Sequence, residues 1–202
     1  MKKFTIPALL ILILFSESRA QSPVEFGIRG GVNLANLGNV DFDTRVRTGI
    51  LAGIYADISL PILPFALETG VYFSQKGSEF DESDVELTFK LDYIEVPVLV
   101  KLPFGNLPQL KPYFIAGPYV EFNVNAEVET EGRNDVFTVD LDDETEFFNF
   151  GAMVGVGSDL DIGLIKLNFQ GRFGLGLRDV FNDQFSDGEK HQVFSILVGF
   201  SF

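Results

Sequence analysis

Eight charged residues fall on the polar side of segments that otherwise alternate apolar and polar positions: Arg29, Asp57, Glu68, Glu95, Lys101, Glu121, Lys166 and Arg172. Four cations and four anions facing one another could line an ion path or hold a small ligand. They could equally pair among themselves, because a buried charge is tolerated only when it is paired and hydrogen-bonded. In a narrow enclosure the second outcome is expected, so these eight are read as a structural charge network.

A second concentration of chemistry is "EVETEGRNDVFTVDLDDETE" (127–146), with nine acids and one arginine. Oxygen ligands at that density suit Ca²⁺ or Mg²⁺, and the same charge would dock a basic partner. "DLDDETE" nevertheless lacks the regular ligand spacing and fixed glycine of an EF-hand loop. The simpler expectation is a solvated hairpin, and the alternation in "DVFTVDL" suggests that it prolongs a sheet. A hydrolase would need a nucleophile and a base. His191 is the only histidine, with Ser186 and Ser195 near it, but no nucleophile motif accompanies them. The chain has no cysteine, no Cys/His cluster, no phosphate-binding loop and no basic patch. No enzymatic activity, cofactor or metal is expected.

The elements that must position these residues show period two, the mark of strands with two unlike faces. In "LIKLNFQGRFGLGL", Ile165, Leu167, Phe169, Phe173 and Leu175 alternate with Lys166, Asn168, Gln170 and Arg172. In "PYFIAGPYVEFNVNAEV", Phe114, Ala116, Pro118, Val120, Phe122 and Val124 alternate with a set that includes Tyr113, Tyr119, Glu121, Asn123 and Asn125. Eight such segments are predicted, at about 25–33, 47–59, 65–76, 91–102, 112–127, 147–159, 164–177 and 192–202. Several are longer than the five or six residues of an average strand. They suit the nine to eleven residues that a tilted strand needs to cross a bilayer.

The connections alternate as well. Those at 34–46, 77–90, 128–146 and 178–191 are long and acidic, whereas 60–64, 103–111 and 161–163 are short. Of 29 acidic residues, 21 fall within or immediately beside the long ones. Long connections on one side, short turns on the other and an even strand count are the layout of an outer-membrane barrel. The predicted fold is all-β: an eight-stranded antiparallel transmembrane up-and-down barrel. Its apolar face should meet lipid, since an eight-stranded interior has room only for side chains and would be crowded by the bulky apolar set.

The first residues, "MKKFTIPALLILILFSESRA", combine a basic start, a short apolar run and small residues at Ser18 and Ala20. They read as a cleavable signal peptide over 1–20, leaving 21–202 as the barrel domain. After Ala20 the chain carries 12 basic and 28 acidic residues, a balance that argues against nucleic acid. The chain ends "VFSILVGFSF", with Phe194, Ile196, Val198, Phe200 and Phe202 on one face. A last strand that closes a barrel places those residues against lipid, with the terminal aromatics at the inner interface. Phe200 and Phe202 are the expected signal for the barrel assembly machinery.

"FGIRGGVNLANL" (26–37), "LDYIEVPVLVKLPFG" (91–105), "KPYFIAGPYVEF" (111–122) and "FNFGAMVGVG" (148–157), in that order and with the closing "FSILVGFSF", resemble the Bacteroidetes outer-membrane β-barrel domain family. This is the family often labelled PorT. The resemblance implies the same barrel and an outer-membrane location across the whole mature chain. One namesake belongs to the machinery of type IX protein secretion, so a secretion or assembly accessory is among the implied roles. The expected function is a structural or protein-interaction role in the cell envelope. Its expected partners are outer-membrane lipid, the assembly machinery and envelope or secretion proteins meeting the acidic loops. The alternatives are small-solute or ion transport through the lumen and, less favoured, a lipid-modifying enzyme.

Overall fold

A computed structural model describes residues 23–38, 44–59, 62–82, 85–105, 107–131, 136–140, 147–163, 165–177 and 190–202. The expected signal peptide, Ser186 and most of segment 178–191 lie outside the described residues. Nine strands are present among them: β1 (Val24–Gly38), β2 (Thr44–Ser59), β3 (Ala66–Glu82), β4 (Val85–Pro103), β5 (Leu110–Glu131), β6 (Val136–Asp140), β7 (Phe148–Asp161), β8 (Lys166–Gly176) and β9 (Lys190–Ser201). All pairings are antiparallel. β1 to β5 pair in sequence, β5 continues to β7, then β8 and β9 follow. β9 returns to β1, from Gly27 opposite Ser201 to Gly38 opposite Lys190. Eight strands thus close a barrel, and β6 is an extra arm paired to the far end of β5. Closure gives every strand two neighbours and leaves no open edge in the barrel wall, which a wall in hydrocarbon requires. No described helix is long and apolar enough to cross a membrane; the strands do so.

The chain termini of the barrel and the turns at Gly105 and Gly163 share one end. Those two glycines have φ of 75° and 101°, the left-handed region that tight reversals need and other residues avoid. At the opposite end the strands run on. β3, β4 and β5 have 17, 19 and 22 residues, so roughly half of β5 exceeds what bilayer crossing demands.

This extension corrects two of the expected loops, 34–46 and 77–90, whose described residues are strand, and it bears out the sheet-prolonging hairpin expected in 127–146, of which 132–135 and 141–146 lie outside the described residues. Pairing of β3 with β4 runs unbroken from Lys76 opposite Leu91 to Glu82 opposite Val85, and β6 pairs with β5 from Glu131 opposite Val136 to Glu127 opposite Asp140. The physical reason is that acids there still alternate with Phe80, Leu87, Phe89 and Val128. A sheet standing in water can carry charge on either face, so acidity does not end it.

The outer face is apolar. Ile54, Val154, Phe114, Val198 and Ile196 are all half or more exposed, Ile54 at 63%. A monomeric soluble protein rarely exposes an apolar surface of this extent; here it is the lipid belt. The inner face is not purely polar, since Leu51, Leu91, Leu99, Ile115, Met153 and Leu197 are buried in it. All five tyrosines of the chain (55, 72, 93, 113 and 119) also point inward. Tyr55, Tyr113 and Tyr119 lie across Gly27, Gly157 and Gly151, their partners on the adjacent strands. A Cβ at Gly157 would stand 2.4 Å from the Tyr113 ring. The glycines therefore make the room in which the aromatic layer packs.

A bulge shifts the alternation in β5. Asp92 pairs with Asn125 but Tyr93 with Asn123, which leaves Val124 without a partner. Beyond it the buried parity switches to Ala126, and Asn125 is only half-buried. One extra residue re-aims a strand in this way.

Candidate functional site

The lumen holds the charged residues in three layers. In the middle layer Arg29 of β1 forms a bidentate pair with Glu68 of β3, Nη1 to Oε1 at 2.8 Å and Nη2 to Oε2 at 3.1 Å. Such fork-to-fork pairing fixes direction as well as energy. Arg29 Nη1 also donates to Gln170 Oε1 at 3.0 Å and to Tyr72 Oη at 3.3 Å. Gln170 donates in turn to both Glu68 oxygens at 3.3 Å. Arg172 lies 3.6 Å from Glu68, donates to Tyr72 Oη at 3.2 Å and also bonds Gln170. The Arg29 guanidinium sits 3.9 Å from the centre of the Tyr55 ring, a cation–π contact that desolvation strengthens. Glu68 is 0% exposed and Arg172 1%. β1, β3 and β8 thus meet across the bore and fill it.

Toward the extended end, Lys76 of β3 is held between Glu95 of β4, at 2.8 Å, and Glu121 of β5. The rings of Tyr93 and Tyr119 flank its ammonium at 5.6 and 5.1 Å. Beside them Asn33 is satisfied on all sides. Its amide donates to Ser74 Oγ and to the Gln75 carbonyl, and its oxygen accepts from Ser195 Oγ at 2.7 Å.

Toward the short-turn end, Lys101 of β4 bridges Asp57 of β2 at 2.7 Å and Asp159 of β7 at 2.8 Å, over the Tyr113 ring. Tyr113 Oη accepts from Asn168 at 2.6 Å. Below this layer a recess of about 370 Å³, lined by Leu63, Pro64, Phe65, Lys111 and Asp159 among others, opens at the mouth.

Seven of the eight predicted residues therefore lie buried inside the barrel: Arg29, Glu68 and Arg172 together, Asp57 with Lys101, and Glu95 with Glu121. The eighth needs correction. Lys166 is the first residue of β8 and lies at the mouth, 27% exposed, paired with Glu25 rather than joined to the lumen network. Its long stem carries the charge out to water, as lysines at such borders do. Sequence reading missed Lys76 and Asp159. Lys76 closes the segment "FALETGVYFSQK", at the border of the expected connection 77–90, and it keeps the inward parity of Glu68 and Tyr72 that could have found it.

Phe200 and Phe202 point outward at the short-turn end, and the Phe202 amide donates to the Phe26 carbonyl at 3.0 Å. The backbone of His191 is already in β9, opposite Leu37. Ser195 lies four residues along the same strand, about 13 Å away at the rise of a β-strand, and its hydroxyl serves Asn33. Among the described residues, no group of three or more His, Cys, Asp or Glu side chains is placed to hold a metal ion.

A closed eight-stranded antiparallel barrel, apolar outside and charged inside, with short turns at one end and extended strands at the other, is the outer-membrane class of β-barrel. Residues 15–182 match the family model described as outer membrane protein beta-barrel domain, and the chain belongs to that family. It is an outer-membrane protein. Its fold resembles that of Neisserial surface protein A, with a TM-score of 0.54 at 13% identity over 89% of this chain and 96% of that one. It also resembles a major outer membrane protein from Thermus thermophilus, with a TM-score of 0.52 at 12% identity over 90% of this chain and 100% of that one. A sequence search against curated proteins gives no significant match.

Proposed function

We propose that this barrel is a non-conducting, non-enzymatic component of the cell envelope, akin to the PorT family of Bacteroidetes, that acts as a structural or interaction protein. The observation that carries this reading is the middle layer. Arg29, Glu68, Gln170, Arg172 and Tyr72 fill the bore with side chains that hydrogen-bond one another, and an eight-stranded barrel has no spare width around them. What the protein offers to its surroundings is then its surface. The strand ends beyond the membrane are rich in acids, with Glu79, Asp81, Glu82, Glu86, Glu127, Glu129 and Glu131 in their sequence, a composition suited to basic segments of envelope or secretion proteins. In this account a signal peptide directs export, and Phe200 and Phe202 are read by the barrel assembly machinery.

The test has two arms. Planar-bilayer recording of purified protein should show no steady conductance; a stable porin-sized one would favour solute transport instead. Crosslinking in intact outer membranes, followed by affinity capture, should enrich one or a few envelope proteins. Charge reversal in 79–86 should abolish that enrichment, and capture that ignores the reversal would remove the acidic strand ends from the account.

A further inference from the structure

We propose that the short-turn end of the barrel binds one zwitterionic phospholipid of the inner leaflet, the side that short turns face. Its acyl chain lies in a groove across β1, β2 and β3, and its headgroup in a pocket at the rim. The two cavities meet at Phe202, which lines both. The site rests on the outer-membrane placement of the chain and not on the sealed lumen.

The groove, of about 340 Å³, is on the lipid face, and the strand registers explain it. Phe26, Ala56 and Thr69 stand opposite one another in a row across β1, β2 and β3, and Ile28, Ile54 and Val71 form the next row. Phe202 continues the first row on β9, where its amide bonds the Phe26 carbonyl. The second row is branched throughout and stands out from the wall. The first drops from two phenyl rings to a methyl group at Ala56 and a short side chain at Thr69, and the groove runs along that drop. Thr69 carries the one hydroxyl among the outward side chains of the lining, and it donates to the Pro97 carbonyl at 2.8 Å. An occupant therefore meets hydrocarbon, and the groove opens directly into the lipid belt. An alkyl chain fits; a second copy of the barrel would bring a convex wall to a concave strip.

The rim pocket, of about 110 Å³, selects the headgroup. Glu25, Asp161, Lys166 and Ser201 line it with Phe202, so it offers one cation and two carboxylates. Lys166 and Glu25 pair and are both partly exposed, and Asp161 Oδ1 accepts from the Gly163 amide at 3.2 Å. An ammonium has three donors, so a phosphate oxygen can join Glu25 on Lys166. An ammonium on the ligand can lie against Glu25 and Asp161. A headgroup with both charges answers both signs, whereas one with a net negative charge meets an excess of carboxylate. Because these charges stay partly in water, they decide which headgroup is preferred, while burial of the alkyl chain supplies most of the affinity.

The test is native mass spectrometry of the full barrel refolded in detergent micelles, with dioleoyl phosphatidylethanolamine or dioleoyl phosphatidylglycerol added at equal concentration. The barrel should retain one phosphatidylethanolamine, several-fold over phosphatidylglycerol. Equal retention of the two, or of neither, would overturn the proposal. Ala56→Phe fills the groove and should cut retention several-fold. Ala152→Phe, on the lipid face of β7, should leave it unchanged. Equal loss in both variants, or in neither, would overturn the groove. A two-chain species that Ala56→Phe abolishes would overturn it in favour of a second copy. Should Ala56→Phe fail to fold, Glu25→Gln still decides. It removes one carboxylate from the rim pocket and should shift the preference several-fold toward phosphatidylglycerol, and an unchanged preference would overturn the headgroup assignment. A conductance in bilayer recording would alter none of these outcomes, so this site and the sealed lumen fail separately.

Discussion

Glu68→Ala is the substitution that bears hardest on the lumen. Glu68 is fully buried and accepts two bonds from Arg29 and two from Gln170, with Arg172 3.6 Å away. Removing it leaves Arg29 without its counter-ion and Arg172 with only Tyr72, Gln170 and Met153. Breaking a buried pair by deleting one partner costs about 3–5 kcal/mol, because the other charge is left uncompensated. That is a large share of the roughly 5–15 kcal/mol by which a typical domain is stable. The assay is equilibrium urea unfolding in phospholipid vesicles, followed by tyrosine fluorescence, since the chain has no Trp and all five tyrosines report from the lumen. The double variant Arg29→Met with Glu68→Leu should be less destabilised than Glu68→Ala, because it removes the charges together and fills the space. A loss below about 1 kcal/mol for Glu68→Ala, the range of exposed pairs, would refute the claim that this layer is a desolvated plug.

The remaining expectations concern the wall and its closure. Val198→Arg or Phe169→Arg, on a directly paired position of the lipid face, should cost on the order of 2–4 kcal/mol near the midplane, measured by the same unfolding assay. Ser201→Ala, which is inward and lies at the mouth, should cost far less, and equal costs would mean the faces are reversed. Gly157→Ala drives a methyl into the Tyr113 ring and should destabilise by about 1–3 kcal/mol, as overpacking does. An unaltered midpoint would show that the ring is free to move aside. Deleting Phe202 should slow assembly in cells more than refolding in detergent, compared by pulse-chase and by heat-shift gels. Equal slowing in both would reduce its role to local contacts such as the backbone bond it makes to Phe26.

Most of the architecture was legible because a barrel in lipid has one rule that sequence displays directly: alternate residues face opposite media. Ile165 to Leu175 and Phe194 to Phe202 show it without interruption. The alternation in "DVFTVDL" did show the hairpin of β5 and β6, but the strand ends in 34–46 and 77–90 were not legible, because the rule weakens where both faces meet water. There the acids of 77–90 resembled a loop although the ladder continues to Glu82 and Val85. The bulge at Asp92 and Tyr93 was likewise hidden, since one unpaired Val124 changes parity without changing composition. In the lumen, parity identified Arg29, Asp57, Glu68, Glu95, Lys101, Glu121 and Arg172 as inward. It could not say which charge meets which. Arg29 and Glu68 are 39 residues apart and Lys101 and Asp57 are 44 apart, joined only by the curvature of the closed sheet. Lys76 escaped because the glycine beside it, with φ of 133°, marks a distortion within β3 rather than its end.

The central claim is that one face of every strand meets lipid and the other a filled lumen, and β9 tests it residue by residue. The chain has no cysteine, so single substitutions to Cys at 193 through 200 each introduce one reactive group. In proteoliposomes, Phe194→Cys, Ile196→Cys, Val198→Cys and Phe200→Cys should react with a lipid-dissolved maleimide. Val193→Cys, Ser195→Cys, Leu197→Cys and Gly199→Cys should resist both that reagent and a water-soluble one. The opposite alternation, or none, would contradict the account.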